Sequence, residues 1–393
     1  MKTILVLTPR FPYPVIGGDR LRIYELCKEL SKKYRITLVS LCDSHQELHM
    51  EIPDDGVFKD VHRIYLPRWR SYLNCILALP TKKPLQIAYY HSKKFARLVE
   101  TLAEKHDVII PHLIRAAEYA KNLDNRKIIE MTDAISMNYS RFSERKNSSG
   151  LKGFIYCIEQ ERLNRYEKKI AEYYDYSVFV SQYDKDFLYN DLPLLYNKAL
   201  VCSNGVDLSK LPYNFSPESK KLVFIGNMYS AQNYDAAYWF ATEVLPILRE
   251  YGEYEFHIIG RIPQASQKRF AQVEGVFATG SVDSVAEHAH GSIAGICSVR
   301  LAAGVQNKTL EYMALGIPTV TSSIGLEGLF ATPNESILVA DTPSEYVEAI
   351  LKLESDPDFA KSLSLKALSY VKDHHSWSGK LRPLIEKIEE LIN

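Results

Sequence analysis

Twice along this chain a short apolar run is followed by a glycine-bearing loop, an amphipathic stretch and a second apolar run. That order points to a doubly wound α/β sheet built two times over. Residues 4–7 (Ile-Leu-Val-Leu) are predicted to form a parallel strand buried on both faces. A loop over 8–19 carries Pro9, Pro12, Pro14 and the pair Gly17-Gly18, after which Leu21, Tyr24, Leu26 and Leu30 recur at helical spacing. Residues 36–41 are the second strand, closing a βαβ unit, and further strands are expected at 108–110, 127–130 and 177–180. A charged periodic stretch, 151–174, reads as one long helix.

After a polar segment rich in Asn, Ser and Pro (203–220) the programme restarts. Strand 222–225, loop 226–233, helix 235–251 and strand 255–259 follow, then strands at 275–278, 293–299, 318–321 and 337–339. With 393 residues, two domains are the natural expectation: 1–195 and 196–375. The C-terminal helix, within 376–393, either closes the second domain or crosses back to the first.

Composition narrows the function. The formal net charge is +0, which gives no global reason to bind nucleic acid. The 6 cysteines are scattered, with no C-x-x-C pair or zinc spacing, and are expected as buried thiols. The N-terminal apolar run is broken by Pro9 too soon for a signal peptide, and no stretch is long enough to span a bilayer. The expected location is cytoplasmic, at the inner face of the membrane if the surface binds lipid. The segment 61–99 contains no Asp or Glu but holds Arg63, Arg68, Arg70, Lys82, Lys83, Lys93, Lys94 and Arg97 among Trp69, Tyr72, Tyr89, Tyr90 and Phe95. That pattern suits either a solvated face or peripheral contact with an anionic leaflet.

The segment 297–318 is the richest in chemistry. A strand ends, a small-residue loop follows, and a helix is expected to start near Val305 and stop at Gly316. Free N–H groups and the positive end of such a helix suit a phosphate. Lys308 and Glu311 are three apart on one face, either as a site or as an exposed helix pair. The order Arg300, small residues, Gly304, Gln306-Asn307-Lys308, Leu310-Glu311, Met313-Ala314 and Gly316-Ile317-Pro318 resembles retaining glycosyltransferases of family 4, such as bacterial polysaccharide and lipopolysaccharide sugar transferases. Pro12 to Arg22 is similar to the glycine loop of that family, and Ser203-Asn204-Gly205-Val206-Asp207 to the entrance of its second domain.

The resemblance implies a GT-B fold, two facing Rossmann-like domains with a cleft between them. It implies sugar transfer from a nucleotide-diphosphate sugar to a glycan or lipid-linked acceptor in cell-surface polysaccharide synthesis, retaining and without a metal or other cofactor. It places Glu311 on the donor ribose, Lys308 and Arg300 at the diphosphate, and the amides of Gly304, Val305 and Gln306 around it, with Asn307 alongside. Gly17 and Gly18 would close over the phosphates, and Gly226 and Gly260-Arg261 end strands beside the donor. His112 is either the group near the transferring sugar or a structural histidine, and Arg115 is the next candidate, on the acceptor. Asp19 and Arg22 either orient the acceptor or are a helix N-terminal Asp and a surface Arg. Asp133 either contacts the acceptor or caps a helix. Two departures stand out: the position of a common donor-sugar Glu is Ala303, and the loop after residue 225 lacks the usual Arg and Lys. Two other readings are a catalytically silent glycan-binding or scaffold relative and a sugar-nucleotide epimerase. No strand leads into G-x-G-x-x-G, so a nicotinamide dehydrogenase fits poorly.

Overall fold

The computed structural model describes residues 1–15, 18–144, 151–301 and 305–392, without the side chains of 141–144 and 151–157. The chain forms two compact units, Met1–Ser203 with Lys380–Asn393, and Asn204–Gly379.

The first unit is a seven-stranded parallel sheet. Its strands are β1 (Thr3–Thr8), β2 (Arg35–Cys42), β3 (Asp60–Tyr65), β4 (Val108–Pro111), β5 (Arg126–Thr132), β6 (Tyr176–Phe179) and β7 (Ala199–Val201), in the order β3-β2-β1-β4-β5-β6-β7. Ile4 to Leu7 are wholly buried because β1 is central and covered on both faces. The long helix is Leu151–Ala171. Two edge strands escape sequence reading. β3 is Asp-Val-His-Arg-Ile-Tyr, too polar to stand out, and β7 has only three residues. Since β7 pairs with β6, the first unit runs past residue 195 to Ser203. The helix Trp377–Ile392 begins in the second unit and ends in the first, where Leu384 and Ile388 are buried and Lys33 reaches Glu389 at 2.6 Å.

The second unit is a six-stranded parallel sheet of β8 (Lys221–Ile225), β9 (Glu255–Ile259), β10 (Val276–Gly280), β11 (Ala294–Cys297), β12 (Thr319–Thr321) and β13 (Leu338–Val339). Their order is β10-β9-β8-β11-β12-β13. The helix expected over 235–251 is three pieces: Ala231–Trp239, a π turn at Phe240–Val244, and Leu245–Arg249. Pro246 lacks an N–H, so the ladder cannot continue unchanged through it, and the wider turn sits just before it.

In both units the strand order reverses between the first strand and the one paired on its other side, β1/β4 and β8/β11. Ligands of open α/β sheets bind outside the carboxyl ends of strands at such a reversal. Gly316, which stops the helix Asn307–Leu315, adopts φ 85°, and a Cβ there would lie 2.8 Å from the Tyr213 ring. Gly316→Ala is therefore expected to cost about 2 kcal/mol or more, read as a lower midpoint in urea with an unchanged slope.

Candidate functional site

In the second unit the site is organised by the helix Asn307–Leu315, which starts two residues later than expected and follows β11 at the reversal point. One face buries Leu310, Met313 and Ala314 with Val305, Ile337 and Val371. Tyr312 sits in another cluster with Val223, Ile225 and Ile317. Its hydroxyl accepts from the Ile225 amide at 2.8 Å and donates to the Ile296 carbonyl at 3.1 Å, which pins the helix to β8 and β11. A Cβ on Gly295 would meet the Tyr312 ring at 2.3 Å, so that glycine makes room for the pin.

Lys308 is not an exposed helix residue. Its side chain is buried, 7% accessible, with Nζ donating to Gln306 Oε1 at 3.1 Å and lying 5.3 Å from the Phe224 ring centroid. It forms no ion pair with any described residue. A buried ammonium whose close hydrogen-bond acceptor is a neutral amide oxygen can take further stabilisation from an anion. One turn on, the Glu311 carboxyl is pushed above its ordinary range by desolvation, opposed by Lys308. Lys308 and Glu311 thus offer a cation and a carboxylate on one face, within reach of the positive end of the helix.

Arg300 lies nearby in sequence but its guanidinium is engaged, 2.8 Å from Asp235 Oδ1 and over the Trp239 ring at 5.0 Å. Its charge is already balanced by Asp235, a partner the sequence reading did not name. Asn307 accepts a 2.7 Å hydrogen bond from Asn204, tying the helix start to the first residue of the unit. Val305 and Gln306 are buried beside them. Gly260 is required by strand packing, since a Cβ there would lie 2.1 Å from the Gly226 carbonyl, while one on Gly226 would lie 3.0 Å from the Phe224 ring and 3.2 Å from the Asn233 amide. Arg261 is exposed, stacked over Tyr229 at 5.4 Å. Gly17, Ala303 and Gly304 lie outside the described residues, while Gly18 begins the helix Gly18–Ser31.

In the first unit a pocket opens at the β1/β4 reversal, lined by Pro9 and Arg10 after β1, His112 and Leu113 after β4, and Asp19, Arg20 and Ile23 on the Gly18–Ser31 helix. Asp19 pairs with Arg10 at 3.4 Å. Burial would raise its pKa, but Arg10, His112 and Arg115 together lower it. Arg115 donates to Gln86 Oε1 at 2.9 Å.

His112 is held from beneath. Its Nδ1 is 2.5 Å from Glu130 Oε2, which also accepts from the Thr132 hydroxyl at 2.7 Å, while Glu130 Oε1 accepts from Arg22 Nε at 2.8 Å. Burial works against the Glu130 carboxylate, but Arg22 and His112 prevail and hold its pKa at about 2. An ionised carboxylate only accepts, so the hydrogen bond to Glu130 places a proton on Nδ1 and points Nε2 away from Glu130. Nε2 is buried and bonds to no described residue. Both strands end in left-handed backbone beside this pair, at Leu113 (φ 64°) and Thr132 (φ 65°), conformations that cost of order 1–3 kcal/mol and cluster at functional sites.

Arg22 is thus neither a surface residue nor open to a ligand: it is fully buried and also donates to the Ser203 carbonyl. Asp133 is not the helix cap either. The amides of Ala134, Ile135 and Ser136 are capped by Asp184 and Glu167. The Asp133 carboxyl is driven well above the ordinary range by burial, with Asp184 and Glu130 adding to it. Glu130 itself was missed, although a carboxylate inside the apolar run Ile128-Ile129-Glu130-Met131 has to be paired if the strand is buried, which was a usable clue.

Residues 219–356 match the family model described as glycosyl transferases group 1. A curated relative from Klebsiella pneumoniae, described as an uncharacterized 44.6 kDa protein in the cps region, is 21% identical and aligns over 95% of this chain and 97% of its own. Among solved structures, sucrose-phosphate synthase from Thermosynechococcus elongatus superposes with a TM-score of 0.76 at 13% identity, covering 100% of this chain and 99% of that one. HepE from Anabaena, solved with UDP and glucose, gives 0.71 at 12% identity, covering 99% and 100%. The fold is that of these GT-B glycosyltransferases: two parallel-sheet α/β domains with flanking helices.

Proposed function

We propose that this chain is a retaining, metal-independent glycosyltransferase that moves a sugar from a nucleotide-diphosphate sugar to a glycan or lipid-linked acceptor in cell-surface polysaccharide synthesis. The observation that carries the reading is Lys308: a buried ammonium hydrogen-bonded to the Gln306 amide oxygen, with Glu311 one turn on as its carboxylate neighbour, beside a helix N-terminus at a strand-order reversal. A diphosphate would give the ammonium charged acceptors in place of one amide oxygen, and Glu311 is spaced to accept from vicinal ribose hydroxyls. The group 1 match over 219–356 covers this segment. The UDP and glucose in the Anabaena structure and the cps-region origin of the Klebsiella relative support the donor class and the polysaccharide role.

In this mechanism the second unit stabilises charge as the sugar–phosphate bond breaks, with Lys308 and the helix N-terminus holding the leaving diphosphate. The acceptor hydroxyl attacks the same face of the oxocarbenium-like centre that the diphosphate leaves, and its proton passes to a leaving-group oxygen. His112, held by Glu130 through Nδ1, turns Nε2 to a sugar hydroxyl and positions it.

A thermal-shift screen with UDP, GDP, dTDP, CMP and ADP and their sugars tests the reading, because a ligand that binds only the native state raises its midpoint. One nucleotide series is expected to raise the midpoint equally with and without EDTA. A shift abolished by EDTA would refute metal independence, and no shift with any nucleotide would favour a silent glycan-binding protein.

A further inference from the structure

The helix Arg68–Ala78 is built inside out. Trp69, Tyr72, Leu73, Ile76 and Leu77 recur at i, i+3, i+4, i+7 and i+8, the spacing of one apolar stripe, and all five are exposed, between 45% and 68% accessible. The opposite face is small and anchored: Ser71 and Ala78 are buried, Asn74 donates to the His91 carbonyl, and Cys75 to the Leu85 carbonyl. The helix is therefore fixed to its unit by its small face. Its large apolar face, continued by exposed Leu79, is left in water.

Charge identifies the occupant. Arg70 on the helix and Lys82 just past its end are exposed and ion-paired to no described residue, and Lys93 and Lys94 follow shortly after His91. No Asp or Glu occurs from 61 to 99. Arg63 does not contribute, since it donates to the carbonyls of Glu47, Leu48 and Met50, and Arg68 is paired with Asp43. An apolar stripe flanked by unpaired cations is the pattern of a helix lying in the headgroup region of an anionic bilayer. Among the described residues no helix is long and apolar enough to cross one. We infer that the Arg68–Ala78 helix docks this protein onto an anionic lipid surface, inserting Trp69, Ile76 and Leu77 between headgroups.

The inference does not depend on sugar transfer, and its test needs neither donor nor acceptor. Flotation of the full chain is measured with vesicles of phosphatidylcholine alone and with about 30% phosphatidylglycerol, at low and high salt. Binding to the anionic vesicles is expected, weakened by salt, with a blue shift in fluorescence that is lost in Trp69→Phe. Ile76→Glu/Leu77→Glu should lower vesicle affinity by about 100-fold, and Arg70→Ala/Lys82→Ala by about tenfold, with unchanged thermal midpoints because these side chains are exposed. Undiminished binding in the Ile76/Leu77 variant, or equal binding to neutral vesicles, would overturn the inference. So would a dimer in solution that this variant dissociates, since the stripe would then cover a second copy.

Discussion

Lys308→Ala is expected to weaken nucleoside-diphosphate binding by about 10- to 100-fold, the range of one charge-assisted hydrogen bond of about 1.5–3 kcal/mol. The apo protein should lose little stability, within about 1 kcal/mol, because losing the packing of the lysine stem is offset by no longer burying its charge. These two effects together separate a ligand site from a structural lysine. A lysine that served the fold would cost stability on removal and leave affinity alone. Glu311→Ala should weaken binding of nucleotides relative to inorganic pyrophosphate, which has no ribose. Titration calorimetry with the nucleotide found by the thermal screen reads both variants, and normal affinity in both would remove the basis of the donor site.

Arg22→Leu is expected to destabilise the first unit by about 3–5 kcal/mol, the cost of breaking a buried ion pair and leaving one charge uncompensated. Both side chains are 0% accessible. The pH dependence carries a sign. Glu130 titrates at about 2 in the folded protein, below its ordinary carboxylate value. Its contribution is thus fully present above the unfolded pKa and is lost as pH falls toward 2. Without Arg22 the folded pKa rises, so the penalty is greatest near neutral pH and narrows in acid. Urea midpoints at pH 7 and pH 4 check this: a variant gap that is the same at both would show that the loss is one of packing and not of charge.

The effect on His112 follows from the same contacts. Its Nδ1 proton is fixed by an ionised Glu130, and Glu130 is kept ionised largely by Arg22. Arg22 and Glu130 therefore fix the orientation of the His112 ring from beneath.

Much of this was legible in the residue order. Continuous apolar runs such as Ile4 to Leu7 marked strands because a parallel strand covered on both faces buries most of its side chains, and a polar one there, such as Glu130, has to be paired. The second domain was visible in the restart after Lys220. Lys308 and Glu311 were visible because a helix start, its cation and its carboxylate are neighbours in sequence, and local spacing carries such information. The edges were less so: β3 and β7 are polar or short, and only pairing identifies them.

What tertiary structure alone decided concerns pairs distant in sequence. Arg22 meets Glu130 across 108 positions, and Arg300 meets Asp235 across 65. Whether a charged side chain is free for a ligand depends on what the fold puts beside it. Arg22, Arg300 and Lys308 therefore look alike in sequence and differ in place: one is locked under a pocket, one is balanced by a carboxylate, and one is buried with an amide oxygen. The same holds for Arg68–Ala78. Its apolar stripe is plain in the sequence, but an apolar stripe ordinarily faces the core. Only the anchoring of its small face by Asn74 and Cys75 turns that stripe outward. Local periodicity sets which residues share a face, and long-range packing sets where that face points.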